Sequence, residues 1–205
     1  MQKKYYNKKT WNDRWICETI YPNKSDGIFV EAGACGGIGG SCTYALEELG
    51  WTGFLFEPNT EWYEACCKNR PNSKVFNLCL GDGNEVEYIQ FEQRGRSTTK
   101  PHKHHTNLMK TMSHEFIRKQ SIVLSEVIKD YQIDYLALDT NGNEYEILES
   151  VDNCIINAIS VESTALEIKK IRYLLNKNYD EVLNPYSDKD VTYEYYFIRK
   201  QCHDY

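Results

Sequence analysis

Short apolar runs that each end in an acid recur along the chain. Ile28-Phe-Val30 stops at Glu31, Phe54-Leu-Phe56 at Glu57, Ile133 to Leu138 at Asp139, and Ala158 to Val161 at Glu162. Runs without polar alternation suit parallel strands covered on both faces. Between them, Ala45 to Leu49 with its stop at Gly50, Glu61 to Lys68 with Asn59 as cap, Tyr145 to Leu148, and Leu166 to Leu175 read as helices. Val75 to Leu80 adds a third strand, Val86 to Phe91 an alternating one, and Tyr179 to Leu183 with Val191 to Ile198 a closing hairpin pair. The pattern predicts one α/β domain over residues 1–205. Residues 1–26 form an N-terminal helical segment whose Trp11 and Trp15 pack on the sheet.

In an open α/β sheet, ligands bind beyond the carboxyl ends of the strands, so alternating units bring Glu31, Glu57, Asp139 and Glu162 to one edge, with Asp82 near the third strand. The loop after the first strand carries Gly33, Gly36, Gly37, Gly39 and Gly40. Such a loop lets a ligand lie against the main chain. Glu31 beside it would repel a dinucleotide pyrophosphate, which seeks free amides and a helix N-terminus. S-adenosylmethionine (SAM) carries an ammonium and a sulfonium, and tolerates an acid there. Glu57, two dozen residues on, is placed to accept from ribose hydroxyls, and Asp82 lies where an adenine edge would sit, although a G-D-G-N turn also explains it.

Charge and cysteine content narrow the classes. Lys and Arg number 24 against 30 acids, a net charge of -6, which argues against a nucleic-acid partner. The eight cysteines lie mostly in core-like or helical contexts without metal spacing, which predicts reduced thiols and a cytoplasmic location. No apolar run spans a bilayer. Residues 93–115 lose the apolar pattern and gather Arg94, Arg96, Lys100, Lys103 and Lys110 with four of the five histidines. A cationic substrate lid is expected there; a metal site is weighed and set aside for want of a nearby carboxylate pair.

The chain resembles the FkbM-type SAM-dependent methyltransferases over nearly its whole length. The matching segments are Gly27-Ile-Phe-Val-Glu-Ala-Gly-Ala34, Ser41-Cys-Thr-Tyr-Ala-Leu-Glu47, Gly50-Trp-Thr-Gly-Phe-Leu-Phe-Glu-Pro58 and Asp139-Thr-Asn-Gly-Asn-Glu-Tyr-Glu-Ile-Leu148, with Asn12-Asp13 similar to an N-terminal Q-D signature. The resemblance implies a Rossmann-like class I methyltransferase fold: a seven-stranded, mostly parallel sheet with one antiparallel strand and helices on both faces. It implies SAM as cofactor, S-adenosylhomocysteine as product, and methyl transfer to a sugar hydroxyl, with a divalent metal left open. By position, Glu31, Gly33, Ala34 and Ser41 would hold the methionine part, Glu57 and Pro58 the ribose, and Asp82 the adenine edge. Cys35-Gly36 replaces the usual N-D, Cys42 an Asn, and Asn141 the central Glu of the fourth motif. A looser similarity is to a domain of a chlorovirus-like glycan-building protein, fused to glycosyltransferase domains and working in the host cytoplasm.

A hydroxyl is a weak nucleophile at neutral pH, so a base is expected. Asp139 takes that role, with a lid histidine, His102, His104 or His105, as the alternative; a helix N-cap also accounts for Asp139. Asn141, Glu144, Glu162 and Arg96 are expected to face the acceptor, a sugar or glycan. The cationic lid would fit an anionic or nucleotide-bearing acceptor. Two other classes stay open, a non-catalytic SAM-fold binding module and an NAD-dependent sugar oxidoreductase or epimerase.

Overall fold

The computed structural model describes residues 3–92, 95–101, 103–151 and 153–200. In chain order these hold strands β1 (Ile28–Ala32), β2 (Thr52–Phe56), β3 (Lys74–Phe76), β4 (Cys79–Leu80), β5 (Glu85–Phe91), β6 (His114–Ile122), β7 (Ile133–Leu138), β8 (Ile156–Glu162), β9 (Tyr179–Val182) and β10 (Glu194–Arg199). The helices are α1 (Asn12–Trp15), continued by a π turn over Ile16–Ile20, then α2 (Tyr44–Glu48), α3 (Thr60–Asn69), α4 (Lys103–Leu108), α5 (Leu124–Ile128), α6 (Glu144–Ser150) and α7 (Ile168–Leu175). Seven strands make one sheet in the order β3-β2-β1-β7-β8-β10-β9. β10 is antiparallel to both its neighbours, and the other pairings are parallel. This is the Rossmann-like fold with one reversed strand.

The apolar runs become central strands because both faces are covered. All six residues of β7 are buried. On β1, Val30 joins a core with Leu136, Ile159, Ile147 and Ile171 on the side of α5, α6 and α7, while Phe29 faces Trp15, Leu46, Leu55 and Tyr135 on the other. Trp15 is fully buried, edge-on to Tyr135 and Tyr196, so the N-terminal segment does pack on the sheet. Among the described residues no helix is long and apolar enough to cross a membrane.

Two local expectations change. The run Val75 to Leu80 splits, because the Asn77 amide donates to the carbonyls of Glu57 and Pro58, both at 2.9 Å, and turns the chain away. β4 then pairs with β6, which lies antiparallel to β5 from Glu85↔Gln120 to Phe91↔His114. β6 is missing from the sequence reading because its pattern is polar: Phe116 is 57% exposed, and Arg118, Lys119 and Gln120 face outward or along the edge. The segment 93–115 is accordingly more structured than a bare lid. Thr98 bridges to Ile89, α4 follows, and β6 begins within it. Gln93, Arg94 and His102 lie outside the described residues.

The glycine loop has few side chains with which to fix its own shape, and Arg70, at the end of α3, fixes it from outside. The buried guanidinium donates to Glu47 at 2.6 Å, to Thr43 Oγ1 at 2.9 Å, to the Gly37 carbonyl at 3.1 Å and to Ser41 Oγ at 3.2 Å, and lies 3.4 Å from Glu31. Gly37 has φ +80°, and a Cβ there would meet Arg70 Cγ at 2.7 Å. Removing one partner of a buried ion pair leaves the other charge stranded. Arg70→Met should therefore cost about 3–5 kcal/mol in urea unfolding; a loss under about 1 kcal/mol, the range of an exposed pair, would contradict this role.

Candidate active site

β1 and β7 end side by side, and their loops diverge from one point. Gly33, at φ +84°, sits so close to the Asp139 carbonyl that a Cβ would lie 1.9 Å from its oxygen. Only glycine fits at that crossing. Three cavities meet there, and Asp139 lines all of them.

The first cavity, about 680 Å³ and partly open to solvent, has apolar walls of Phe56, Leu78, Leu80, Tyr88 and Trp62 around Glu57. The Glu57 carboxylate accepts from the Cys35 amide at 2.7 Å and the Asn59 amide at 2.8 Å. Cys35 turns the loop toward it in a left-handed conformation, φ +47°. A strap closes the opposite side with Gly95, Ser97 and Thr99. It is anchored by buried Thr98, whose backbone exchanges two hydrogen bonds with Ile89 and whose hydroxyl donates to the Asn141 carbonyl at 2.7 Å.

The second cavity, about 620 Å³, is ringed by carboxylates: Glu31, Asp139, Glu162 and Glu194. Glu162 and Glu194 are directly opposite across β8 and β10, an arrangement in which like charges repel. Asn12 reaches in from α1, donating to Glu194 at 2.6 Å and Ser160 Oγ at 3.1 Å while accepting from the Tyr196 hydroxyl at 2.9 Å. Burial pushes the Glu194 carboxyl up to about 8, and Glu162 adds to the rise, against the hydrogen bond from Asn12. Glu162 is itself raised by burial and by Glu144, with Lys9 and Arg96 opposing. Asp139 is accessible within the cleft yet enclosed by its walls; that partial burial holds its carboxyl well above the usual range, and Glu162, Glu194, Glu144 and Glu31 push the same way. The third cavity, about 1050 Å³, opens from Asp139 past Asn141, Glu144 and Glu162 toward Arg96 and His104. Among the described residues no group of three His, Cys, Asp or Glu side chains is placed to hold a metal ion.

The sequence matches the methyltransferase FkbM domain over residues 31–193. The chain belongs to the FkbM methyltransferase family. Its chemistry is therefore SAM-dependent methyl transfer. No curated protein matches the sequence. Solved structures similar in fold include a TehB-like SAM-dependent methyltransferase from Corynebacterium glutamicum, at 8% identity over 92% of this chain and 87% of that one, TM-score 0.48. Precorrin-6y C5,15-methyltransferase from Geobacter metallireducens gives 12%, 91%, 83% and 0.47 in the same terms. Precorrin 8w decarboxylase from Methanobacterium thermoautotrophicum gives 13%, 93%, 88% and 0.48.

Within this FkbM domain, Gly33, Glu57, Pro58, Asn141 and Asp139 meet in the first cavity, and Glu31 and Glu162 join Asp139 in the second. Ser41 lies behind the wall, donating to Glu31 at 2.8 Å, and Ala34 is buried with its amide on the Phe56 carbonyl. Asp82 is exposed in its turn, accepts from Asn84, and lines none of the three cavities. His104 reaches the third cavity beside Arg96, 3.1 Å from its guanidinium, whereas buried His105 packs near Phe91, outside all three. Glu144 uses its carboxylate to accept from Thr140 and Gly142, closing its own loop. Asn12 and Glu194 were not picked out as site residues; the available signal was an acid at the start of an otherwise aromatic strand.

These raised carboxyls make stability depend on pH with a definite sign. Glu194 near 8 and Glu167 near 7, both from 4.5, hold protons that the unfolded chain releases. Their contribution to stability is fully present below about pH 4.5 and is lost as pH rises through 7 and 8. Melting temperatures of the cofactor-free protein should fall across that window, and Glu194→Gln should flatten the upper part. A melting temperature that climbs steadily instead would refute the assignment.

Proposed function

We propose that this FkbM methyltransferase transfers the methyl group of SAM to a hydroxyl of a sugar in a glycan or glycoconjugate. The observation that carries the reading is the junction at Gly33 and Asp139 of an apolar cavity containing one acid with a cavity ringed by acids. That pair fits an adenosine joined to a cationic tail. Phe56, Leu80 and Tyr88 would enclose the base, and Glu57 would accept from the ribose hydroxyls. Glu31, Glu194 and Asp139 would face the ammonium end, with Ser41 positioning Glu31. When bound, SAM supplies a methyl group made electrophilic by a positively charged sulfur.

Asp139 ionises more readily once a cation shares its cleft. As a carboxylate it takes the acceptor's hydroxyl proton, with His104 across the third cavity as second candidate. Sugar as the acceptor class is supported by the family resemblance. An NAD-dependent oxidoreductase is disfavoured, because Glu31 and the acidic second cavity would face a pyrophosphate. A SAM-fold binding module without catalysis differs only in turnover.

Calorimetry with SAM, S-adenosylhomocysteine and NAD separates these classes. SAM should bind, NAD should not, and Glu57→Gln should weaken SAM about 10–100-fold by removing charge-assisted hydrogen bonds. A cation favours ionised carboxyls, so SAM binding should release protons and tighten as pH rises from about 6 to about 8; pH-independent affinity would contradict the acid-ringed tail site. Asp139→Asn should lower kcat about 10²–10⁴-fold with SAM still bound, and unchanged turnover would remove Asp139 as base.

A further inference from the structure

The turn that precedes α1 forms one side of the second cavity, where Asn7, Lys9, Thr10 and Asn12 all line the wall. Its backbone is fixed from several directions. Asn7 Oδ1 accepts from the Thr10 amide at 3.1 Å and the Thr10 hydroxyl at 2.8 Å, and Asn7 Nδ2 donates to the Gly40 carbonyl of the glycine loop at 3.3 Å. The Thr10 carbonyl accepts from Asn184 at 2.8 Å and from the Tyr196 hydroxyl at 3.1 Å, which ties the same turn to β10. The main chain is thereby held while the Lys9 side chain stays exposed at the mouth.

Among the described residues, Lys9 is the one cation lining the second cavity, against Glu31, Asp139, Glu162 and Glu194. It lines the third cavity too, as do Tyr193 and Glu162. Its ammonium lies 5.1 Å from the centre of the Tyr193 ring, so the charged end, and not the stem alone, sits at the shared wall. The ammonium forms no ion pair among the described residues. Tyr193 first, then Asp190 and Glu162, hold its pKa above the usual value against desolvation. Lys8 next to it turns elsewhere, 4.9 Å over the Trp11 ring, and lines neither cavity. The nearby amide nitrogens are committed, Asn12 to Glu194 and Ser160, Asn7 to Gly40 and Cys42.

The methionine end of SAM is a zwitterion. Acids answer its ammonium but repel its carboxylate, which needs a cation of its own. We propose that Lys9 receives the SAM carboxylate, so that the cavity selects the intact methionine end over an otherwise identical cation lacking that group. A lysine ammonium offers three N–H donors on a flexible stem, and hydrogen bonds between ionised partners are about twice as strong as neutral ones. The inference rests on the SAM reading. If Lys9 served only to balance Glu162, its loss would shift every cationic ligand alike, whereas a contact to the carboxylate shifts only ligands that carry one.

Calorimetry on the full chain at about pH 7 compares SAM with decarboxylated SAM, which keeps the adenosine, sulfonium and amine, the weaker ligand being read by displacement. Lys9→Gln should lower the ratio of SAM affinity to decarboxylated SAM affinity about tenfold or more. Lys9→Arg, which keeps the charge, should hold that ratio within about threefold of wild type. Lys8→Gln should leave both affinities unchanged, and the Lys9→Gln melting curve should stay near wild type. A ratio unmoved by Lys9→Gln overturns the proposal, as does an equal fall in Lys8→Gln. Failure of both ligands to bind wild type would instead overturn the SAM reading.

Discussion

One buried guanidinium holds the working edge of this molecule in place. Arg70 joins the end of α3 to Glu31 on β1, to Glu47 on α2 and to the glycine loop between them. Glu31 in turn collects the Ser41 and Thr43 hydroxyls and the Cys42 amide. A loop of glycines has little side-chain packing to specify its path, so these charged hydrogen bonds supply the specification. Glu57 adds a second anchor at the Cys35 amide and Asn69 a third at the Gly36 carbonyl, at 2.7 Å each, so the loop's floor against Asp139 is held by side chains from β1, the end of β2 and α3.

Around this fixed loop, the site gathers four carboxylates in the second cavity against one lining cation among the described residues, Lys9. Glu162 and Glu194 stand opposite in register, and Asp139 adds a third carboxyl between the cavities. For folding alone this is a poor arrangement, since burial and mutual repulsion both oppose ionisation. Such local conflicts are where function is expected to sit. Asn12 and Ser160 soften the conflict without removing it, which leaves the demand for a positive charge to be met by what binds.

How much of this was legible in the sequence follows from what each residue type announces. Strands β1, β2, β7 and β8 were readable because burial on both faces writes an uninterrupted apolar run, and the acids at their ends named one edge of the sheet. Glu57 and Gly33, which the same pattern puts at that edge, line the first cavity. β6 was invisible, since a strand with one solvent face and residues such as Arg118 and Lys119 carries no such run. Arg70 looked like an ordinary helix-end cation; its importance comes from being buried, which composition does not encode. Glu194 and Asn12 are 182 positions apart in sequence, so their contact depends on α1 packing against the C-terminal strand of the sheet. Asp82 shares its acid-after-strand position with ordinary turn chemistry, and in the structure its carboxylate accepts from Asn84 within that turn.

The strap over the first cavity ties these parts together. Thr98 is paired on both sides of its peptide to Ile89 of β5, and its hydroxyl holds the carbonyl of Asn141, a residue in the left-handed conformation at φ +61°. Asn and Asp tolerate that conformation better than other side chains. The replacement of a family Glu by Asn141 thus coincides with a sharp loop that the strap grips by its backbone. Since Asn141 lines both the first and third cavities, and Asp139 is two residues before it, the strap joins the apolar wall to the loop that carries the candidate base. The strap and the Asp139–Asn141 loop thus contribute to the walls of both the first and the third cavities.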